Sequence, residues 1–86
     1  MTTIEIANIS ESICKFLCEE VLQEDIELDL DDNLLTELDI DSLGMLRLVG
    51  FVESEYQIKI PPIFFTIENF RSINTVSYLT HNILRD

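Results

Sequence analysis

Apolar residues three and four positions apart are the feature that most limits what this chain can fold into. In the first segment six of them form one stripe: Ile6, Ile9, Ile13, Phe16, Leu17 and Val21. This spacing places side chains on one face of an α-helix. Thr2 and Glu5 have the spacing of a capping box, in which each side chain satisfies a backbone N–H group at the helix start. The sequence therefore predicts a helix from about residue 3 to about residue 22.

The second half of the chain predicts two more long helices. Asp41 is a favoured N-cap because its carboxylate accepts hydrogen bonds from free backbone N–H groups, and the segment from Ser42 to about Tyr56 follows it. The last helix begins at Ser72 and carries an inward stripe of Ile73, Val76, Leu79, Thr80 and Ile83.

The segment before the last helix contains two adjacent prolines. Pro61 and Pro62 predict that no helix forms at their own positions. Thr66 to Phe70 predicts a short helix with Thr66 as its cap. The pattern as a whole is typical of an all-α helical bundle.

Residues 23–40 lose the helical period and become acidic. Five acids lie close together, Asp25, Glu27, Asp29, Asp31 and Asp32, and leucines are interspersed among and after them. So long a loop is unusual in a small domain. We expect the leucines to pin it to the core and a short helical turn to form around residues 33–38.

The charge balance excludes two classes of partner. Seventeen Asp and Glu against five Lys and Arg give a formal net charge of −12, whereas a nucleic-acid-binding face needs cations that neutralise phosphates. An anionic membrane surface is disfavoured for the same reason. Yet 47% of the residues are hydrophobic, too many for a disordered acidic tail. The composition therefore indicates a folded acidic domain whose partners are proteins with basic surfaces.

The cysteines and the N-terminus indicate a reducing compartment. Cys14 and Cys18 are too few for a disulfide scaffold, and four residues apart on a predicted helix they are poorly placed to bond each other. We expect them to be reduced residues of the core or its edge. The N-terminus shows no signal-peptide pattern, and no apolar stretch is long enough to span a membrane. We therefore expect a cytoplasmic protein.

The polar residues match neither a calcium-binding loop nor the active site of a serine hydrolase. Asp29, Asp31 and Asn33 match an EF-hand calcium loop, but Leu34 and Ile40 stand where that loop needs a glycine and a bidentate glutamate. A serine hydrolase needs a base beside its nucleophile. His81 is the only histidine, and no glycine-flanked nucleophile turn surrounds Ser42. We expect no metal site, no catalytic residue and no enzymatic activity.

Asp39-Ile40-Asp41-Ser42-Leu43 joins the long loop to the second helix. With Leu34-Leu35-Thr36-Glu37-Leu38 before it and Ile67-Glu68-Asn69-Phe70-Arg71-Ser72-Ile73 after that helix, the chain resembles the acyl and peptidyl carrier proteins. The resemblance implies a carrier-protein four-helix bundle with three main helices, one short helix and a long loop between the first and second. It covers nearly the whole chain, which we expect to be a single domain over residues 1–86.

The resemblance also implies a cofactor and a set of partners. In this family the serine of Asp-Ser-Leu carries 4′-phosphopantetheine, which here would be Ser42. The residue chemistry agrees, because a phosphodiester in the first turn of a helix faces free N–H groups and the positive end of the helix dipole. The implied partners are a phosphopantetheinyl transferase that uses coenzyme A, an enzyme that loads an acyl or aminoacyl group, and downstream synthase or transferase enzymes. We expect the carrier to be a monomer that holds its cargo as a thioester.

Two departures from the family pattern refine this expectation. Asp39 stands where many members have glycine, so we expect the loop turn there to use another conformation. Residues 44–49 contain no acid, although fatty-acid carriers typically have acids near the start of this helix. The hypothesis is a discrete carrier of secondary metabolism, such as polyketide or nonribosomal peptide synthesis. Partner recognition would then use Asp41, Leu43, Met45, Leu46 and Arg47.

The sequence leaves the identity of the cargo open, because fatty acyl, polyketide, amino acid or other small acid groups would all be attached to the same prosthetic arm. The alternative function is a non-catalytic interaction module that keeps the carrier-like fold without the prosthetic group.

Overall fold

The computed structural model describes residues 5–85, which form three α-helices joined by long irregular segments. Helix α1 spans Ile6–Phe16 and continues directly into a π-helical turn over Leu17–Val21. The helix predicted from about residue 3 to about residue 22 is therefore present from Ile6 to Val21, but its last five residues are π-helical instead of α-helical. The predicted capping box is wrong at Glu5, which precedes the helix as N-cap and makes no side-chain capping bond. Thr2 lies outside the described residues.

Helix α1 packs mainly against α3, which spans Ile73–Arg85. The predicted stripes of both helices supply fully buried side chains to the core: Ile9, Ile13, Leu17, Ile73, Val76 and Thr80. Two buried serines join the helices, since the Ser10 hydroxyl donates to Ser77 Oγ at 2.8 Å. Ser77 in turn donates to the carbonyl oxygen of Ile73 at 2.7 Å. This chain of hydrogen bonds satisfies the polar groups that the core encloses.

Helix α2 spans Ser42–Tyr56 and buries Leu48 and Val52. Phe51 stacks on Phe16 of α1 with ring centroids 4.4 Å apart. Apolar residues are spread around more than one face of α2, and only part of the helix surface faces the core. Tyr56 is half-buried against the core, Leu43 is exposed, and Met45, Leu46 and Val49 line a groove.

The long loop is held to the core and to the start of α3. Leu34 is fully buried and Ile40 nearly so, and Leu28 and Leu38 are half-buried against the core. Leu30 and Leu35 are exposed, so only some of the leucines pin the loop as predicted. The Leu34 N–H donates to Arg71 O at 2.8 Å, and the Asn74 N–H donates to Leu30 O at 3.0 Å. The predicted turn also forms: Asn33 Oδ1 accepts from the N–H groups of Leu35 and Thr36. The loop is thus an ordered part of the fold that positions the start of α2.

The segment between α2 and α3 differs from its prediction. A single 3₁₀ turn forms at Pro62–Phe64, with Pro62 at its first position, where a missing N–H costs no hydrogen bond. Residues 67–70 make a hydrogen-bonded turn instead of the predicted short helix. Thr66 still acts as its cap, accepting from the Asn69 N–H at 3.2 Å.

The start of α3 falls within one residue of its prediction. Ser72 precedes the helix and forms a reciprocal cap with Thr75. The Thr75 N–H donates to Ser72 Oγ at 3.2 Å, and the Ser72 N–H donates to Thr75 Oγ1 at 3.0 Å. Both hydroxyl groups therefore stabilise the helix start in the way that capping boxes do.

The fold class is confirmed as an all-α bundle, since residues 5–85 contain three long helices and no strand. The fourth, short helix of the prediction is replaced by the 3₁₀ turn and the turn that follows it. Within the same residues no helix has the length and apolar character needed to cross a bilayer.

Candidate functional site at the start of helix α2

Ser42 is the first residue of α2 and is exposed. Asp41 is the N-cap, as predicted, and its Oδ1 accepts from the Gly44 N–H at 2.9 Å. A helix start leaves its first N–H groups without intrahelical acceptors. The aligned peptide dipoles also make this end of the helix electropositive. The hydroxyl of Ser42 therefore lies where a covalently attached anionic group would be favoured.

Asp39 sets the direction from which the chain enters α2. Its φ is 54°, the left-handed conformation that glycine adopts without strain and that aspartate tolerates better than most residues. The prediction that Asp39 would need a conformation different from that of glycine is wrong. The turn keeps the left-handed geometry, and the aspartate adopts it.

Gly44 is required by close packing, which sequence reasoning missed. A Cβ atom at this position would lie 2.8 Å from Ile40 Cγ2 and 3.3 Å from Val21 Cγ1. The first turn of α2 therefore rests directly on the residue that leads into it and on the end of the π-helical turn. From sequence alone Gly44 is recognised only as a weak helix former. Its position in the first turn of the predicted helix, three residues after the cap Asp41, is the signal that was available.

An apolar groove of about 520 Å³ begins at Ser42. Its walls come from α2, from the segment before α3 and from one loop residue, and none of them is charged: Leu35, Ser42, Met45, Leu46, Val49, Phe65, Thr66, Ile67 and Phe70. The rings of Phe65 and Phe70 lie 5.9 Å apart in one wall. The groove offers shelter to an apolar group tethered at Ser42.

The residues predicted for partner recognition separate into two sets. Met45 and Leu46 line the groove together with Ser42, whereas Leu43 and Arg47 lie outside it and are exposed. Asp41 is exposed but is engaged as the helix cap. Met45 is half-buried against the core, so this member of the set also takes part in core packing.

Sequence reasoning also missed the apolar surface opposite α2. Ile63 and Ile67 are 79% and 75% exposed, and Phe65 is 49% exposed. The available signal was the uncharged run from Ile60 to Ile67, which is long for a surface segment. Two of these exposed residues, Phe65 and Ile67, form one wall of the groove at Ser42.

Among residues 5–85, the other His, Cys, Asp and Glu side chains do not assemble into a metal site. No group of three or more His, Cys, Asp or Glu within residues 5–85 has the geometry to hold a metal ion. Cys14 and Cys18 are free and half-buried. Burial raises the pKa of the Cys14 thiol, and the neighbouring Cys18 and Glu11 raise it further, which disfavours the reactive thiolate.

Comparison with known proteins points to one family. The family model described as a phosphopantetheine attachment site matches residues 11–77, a span that includes Ser42 and the groove. An acyl carrier protein from Cyanophora paradoxa is 36% identical over 52 residues, which are 60% of this chain and 50% of the relative. The chain thus aligns with half of that relative's length.

The family match agrees with the fold and with the cofactor that the sequence implies. It favours a modified carrier over an interaction module without a prosthetic group, because the family is defined by phosphopantetheine attachment. The matched span covers well over half of the chain. An all-helical fold with an Asp-Ser-Leu serine at the start of its second helix is what the resemblance implies. This chain belongs to the phosphopantetheine-binding carrier proteins and bears a covalently attached 4′-phosphopantetheine group.

Proposed function

We propose that Ser42 is the attachment residue for 4′-phosphopantetheine and that the chain delivers acyl or aminoacyl groups to biosynthetic enzymes. The observation that carries this proposal is the position of Ser42, which is exposed as the first residue of α2 and lines an apolar groove. Ser72 and Ser77 also lie in the matched span but are buried, whereas Ser54 is exposed but lies near the other end of α2 and does not line the groove. A transferase can therefore reach the Ser42 hydroxyl without unfolding the domain.

The residues around Ser42 fit the group. Its phosphodiester would lie at the N-terminal end of α2, beside backbone N–H groups and the positive end of the helix dipole. Asp41 caps the helix through Gly44, and this bond keeps the first turn in place. When bound, the group supplies a terminal thiol that carries cargo as a thioester. The protein contributes position and an uncharged groove, and the partner enzyme supplies the chemistry.

The pathway is inferred from the composition of α2. Arg47 is the only charged residue between Ser42 and Glu53, and no charged residue lines the groove that includes Ser42. We infer partners of secondary metabolism, such as polyketide or nonribosomal peptide enzymes, together with a transferase and a loading enzyme. We further infer a monomeric, single-domain carrier of residues 1–86 that works in the cytoplasm and has no catalytic activity of its own.

Intact mass spectrometry tests the attachment site. The apo-protein is incubated with coenzyme A and a broad-specificity phosphopantetheinyl transferase. We expect the mass of one phosphopantetheine to be added to the wild type and nothing to be added to Ser42→Ala. Ser54→Ala is the matched control, since Ser54 is an exposed serine on the same helix, and it should be modified normally.

Three results would count against the proposal. An adduct that persists in Ser42→Ala would move the site to another residue, and no adduct on the folded wild type would remove the carrier role. Esterase turnover by the unmodified protein that disappears in His81→Ala would indicate a hydrolase instead. The pathway is tested separately, because fatty-acid synthase enzymes should load and elongate on this carrier less efficiently than on their own.

A further inference from the structure

The π-helical turn over Leu17–Val21 changes which side chains reach the core at the end of α1. The Leu22 N–H donates to Leu17 O, five residues earlier, at 2.7 Å, whereas an α-helix closes its hydrogen bonds after four residues. The wider turn brings residues four and five apart onto the same side of the helix. Val21 and Leu22 are both half-buried against the core, although α-helical winding would turn Leu22 away from the face of Leu17.

Val21 contacts the first turn of α2 from this position. A Cβ atom added at Gly44 would lie 3.3 Å from Val21 Cγ1, so the valine lies directly against the backbone of Gly44. The π-helical turn as a whole packs against α2. Gly44 also donates its N–H to Asp41 Oδ1 at 2.9 Å. Two separate contacts, one to the cap and one to Val21, therefore hold a residue that lies two positions after Ser42.

The end of the π-helical turn is fixed by polar contacts. Gln23 has φ 55°, the left-handed conformation in which helices often end. The Glu24 N–H donates to Cys18 O at 2.9 Å, and Cys18 Sγ donates to Ile26 O at 3.3 Å. These bonds tie the following segment back onto the turn, so the position of Val21 is fixed as well. Single π turns within α-helices occur frequently at functional sites.

We propose, building on the assignment of Ser42, that Val21 is a positioning residue for the modification of Ser42. The π winding places Val21 against Gly44, and this contact holds the first turn of α2 in the geometry in which the Ser42 hydroxyl is modified. Val21 touches neither the hydroxyl nor the prosthetic arm and acts through Gly44.

The chemistry of attachment explains why the position of this turn matters. Attachment forms a bond from Ser42 Oγ to a phosphorus atom of coenzyme A and breaks the bond from that phosphorus to the leaving adenosine phosphate, while the hydroxyl proton passes to the transferase. The attacking and leaving oxygens must lie roughly in line. A displacement of about 1 Å can cost on the order of a hundred-fold in rate.

Steady-state loading kinetics test the proposal with a broad-specificity phosphopantetheinyl transferase and coenzyme A. Val21→Ala removes Cγ1, which makes the contact, and leaves the exposed surface of α2 unchanged. We therefore expect kcat to fall about ten-fold, while the KM for the apo-carrier stays near that of the wild type. Val21→Ile keeps both γ carbons and should retain a kcat near that of the wild type.

Val76→Ala separates positioning from stability. Val76 is fully buried on α3, so loss of the same two methyl groups there should cost at least as much stability as at half-buried Val21. At a temperature at which thermal melts show both variants to be folded, Val76→Ala should keep the kcat of the wild type. An equal fall of kcat in the two variants would reduce the Val21 effect to stability and overturn the proposal.

Amide hydrogen exchange gives a second test that needs no transferase. The Gly44 N–H donates to Asp41 Oδ1 and the Met45 N–H donates to Asp41 O at 2.9 Å, so both amides report the opening of the first turn. We expect both to exchange several-fold faster in Val21→Ala. Val76→Ala should leave both rates unchanged, because amides at a helix start exchange by local opening. Unchanged exchange at Gly44 in Val21→Ala would overturn the proposal.

Deletion of Glu20 tests the π winding itself. Glu20 is exposed within the turn, and removal of one residue lets the turn close as an α-helix and rotates Val21 away from Gly44. We expect kcat to fall as in Val21→Ala. Deletion of Glu27, an exposed residue of the irregular segment that follows, shortens the chain equally and should leave kcat unchanged. A Glu20-deletion protein that circular dichroism shows to be folded and that keeps the kcat of the wild type would overturn the role of the π winding.

The outcomes also separate this proposal from the function on which it rests. If the wild type acquires no adduct, the assignment of Ser42 fails, whereas hydrogen exchange still reports whether Val21 holds the first turn. If the wild type is loaded normally and Val21→Ala keeps its kcat, only the positioning role of Val21 fails. A raised KM with unchanged kcat in Val21→Ala would overturn that role too, because this pattern indicates lost binding.

Discussion

Gly44 and Gly50 show how little a residue type reveals without its surroundings. Both lie inside α2, and both should weaken the helix equally by propensity. Gly44 is buried under Ile40 and Val21, with less room than a Cβ atom needs, whereas Gly50 faces open space. The two positions therefore call for opposite expectations when the same substitution is made.

Gly44→Ala should lower the free energy of unfolding by about 1–3 kcal/mol, the usual cost of forcing an extra carbon into a packed site. It should also slow the loading of Ser42, because Ile40 must shift and it lies two residues before the serine. Gly50→Ala is the matched control and should raise the free energy of unfolding by about 1 kcal/mol. Urea denaturation of both variants measures the difference, and equal effects would show that Gly44 has room to spare.

At the scale of an element, the end of α2 depends on a residue in a strained conformation. Gln57 has φ 54° and ψ 48°, a left-handed geometry that costs most side chains about 1–2 kcal/mol. The turn is useful because the Ile58 N–H donates to Glu53 O at 3.1 Å and closes the helix. Glu53 Oε2 then accepts from the Ile60 N–H at 2.8 Å, which fixes the chain leading to the prolines.

Gln57→Gly should therefore stabilise the domain by about 0.5–1 kcal/mol, since relief of the left-handed strain exceeds the extra entropy of glycine in the unfolded chain. Gln57→Ala is the control, because it shortens the side chain but keeps a Cβ atom and should give no gain. Thermal melts of the wild type, Gln57→Gly and Gln57→Ala compare their stabilities. Equal stability of the glycine and alanine variants would mean that the left-handed turn carries no strain.

The elements that sequence predicts well are those whose period is strong. The apolar stripes locate α1 and α3, because a 3.6-residue period is compatible with few other structures. The start of α2 is located by its cap, Asp41. The segment from Pro61 to Phe70 could not be read this way. Its apolar residues suggest that the segment is buried, but Ile63 and Ile67 lie on the surface. The segment has no helical period, so only tertiary packing determines which of its side chains face the core.

The site is predictable in part for a similar reason. Ser42 and Asp41 follow from a local motif, so their positions are visible in the sequence. The groove wall contributed by Phe65 and Ile67 depends on how a distant segment folds back against α2, and no local pattern records that contact. The contact of Gly44 with Val21 likewise joins residues far apart in the chain.

At the scale of the whole molecule, the net charge of −12 is unevenly spread and works against the compact state. The long loop holds many of the acids, and two of them interact directly. A hydrogen bond with Glu37 raises the pKa of the Asp32 carboxyl above its usual value, and desolvation together with the charges of Glu37, Asp29 and Asp31 adds to the rise. The folded protein therefore binds a proton at Asp32 more readily than the unfolded chain does.

The direction of the Asp32 pKa shift determines how the stability of the fold should depend on pH. Between the ordinary pKa of 3.8 and the raised folded value, the native state holds more protons, so stability falls as pH rises through that window and stays lower at neutral pH. Asp32→Asn should consequently raise Tm at pH 7 by a few degrees at most, because Asp32 is only half-buried and solvent screens its interactions. The gain should shrink as the pH approaches the ordinary pKa, and also in molar salt.

Glu68→Gln is the matched control, since it removes one exposed acid outside the loop and changes the net charge by the same amount. If the charge total alone governed stability, the two variants would raise Tm equally at neutral pH. We expect Asp32→Asn to give the larger rise, because its carboxyl lies among like charges at close range. Equal shifts at pH 7, or a gain from Asp32→Asn that persists at low pH, would show that the loop acids act only through the net charge.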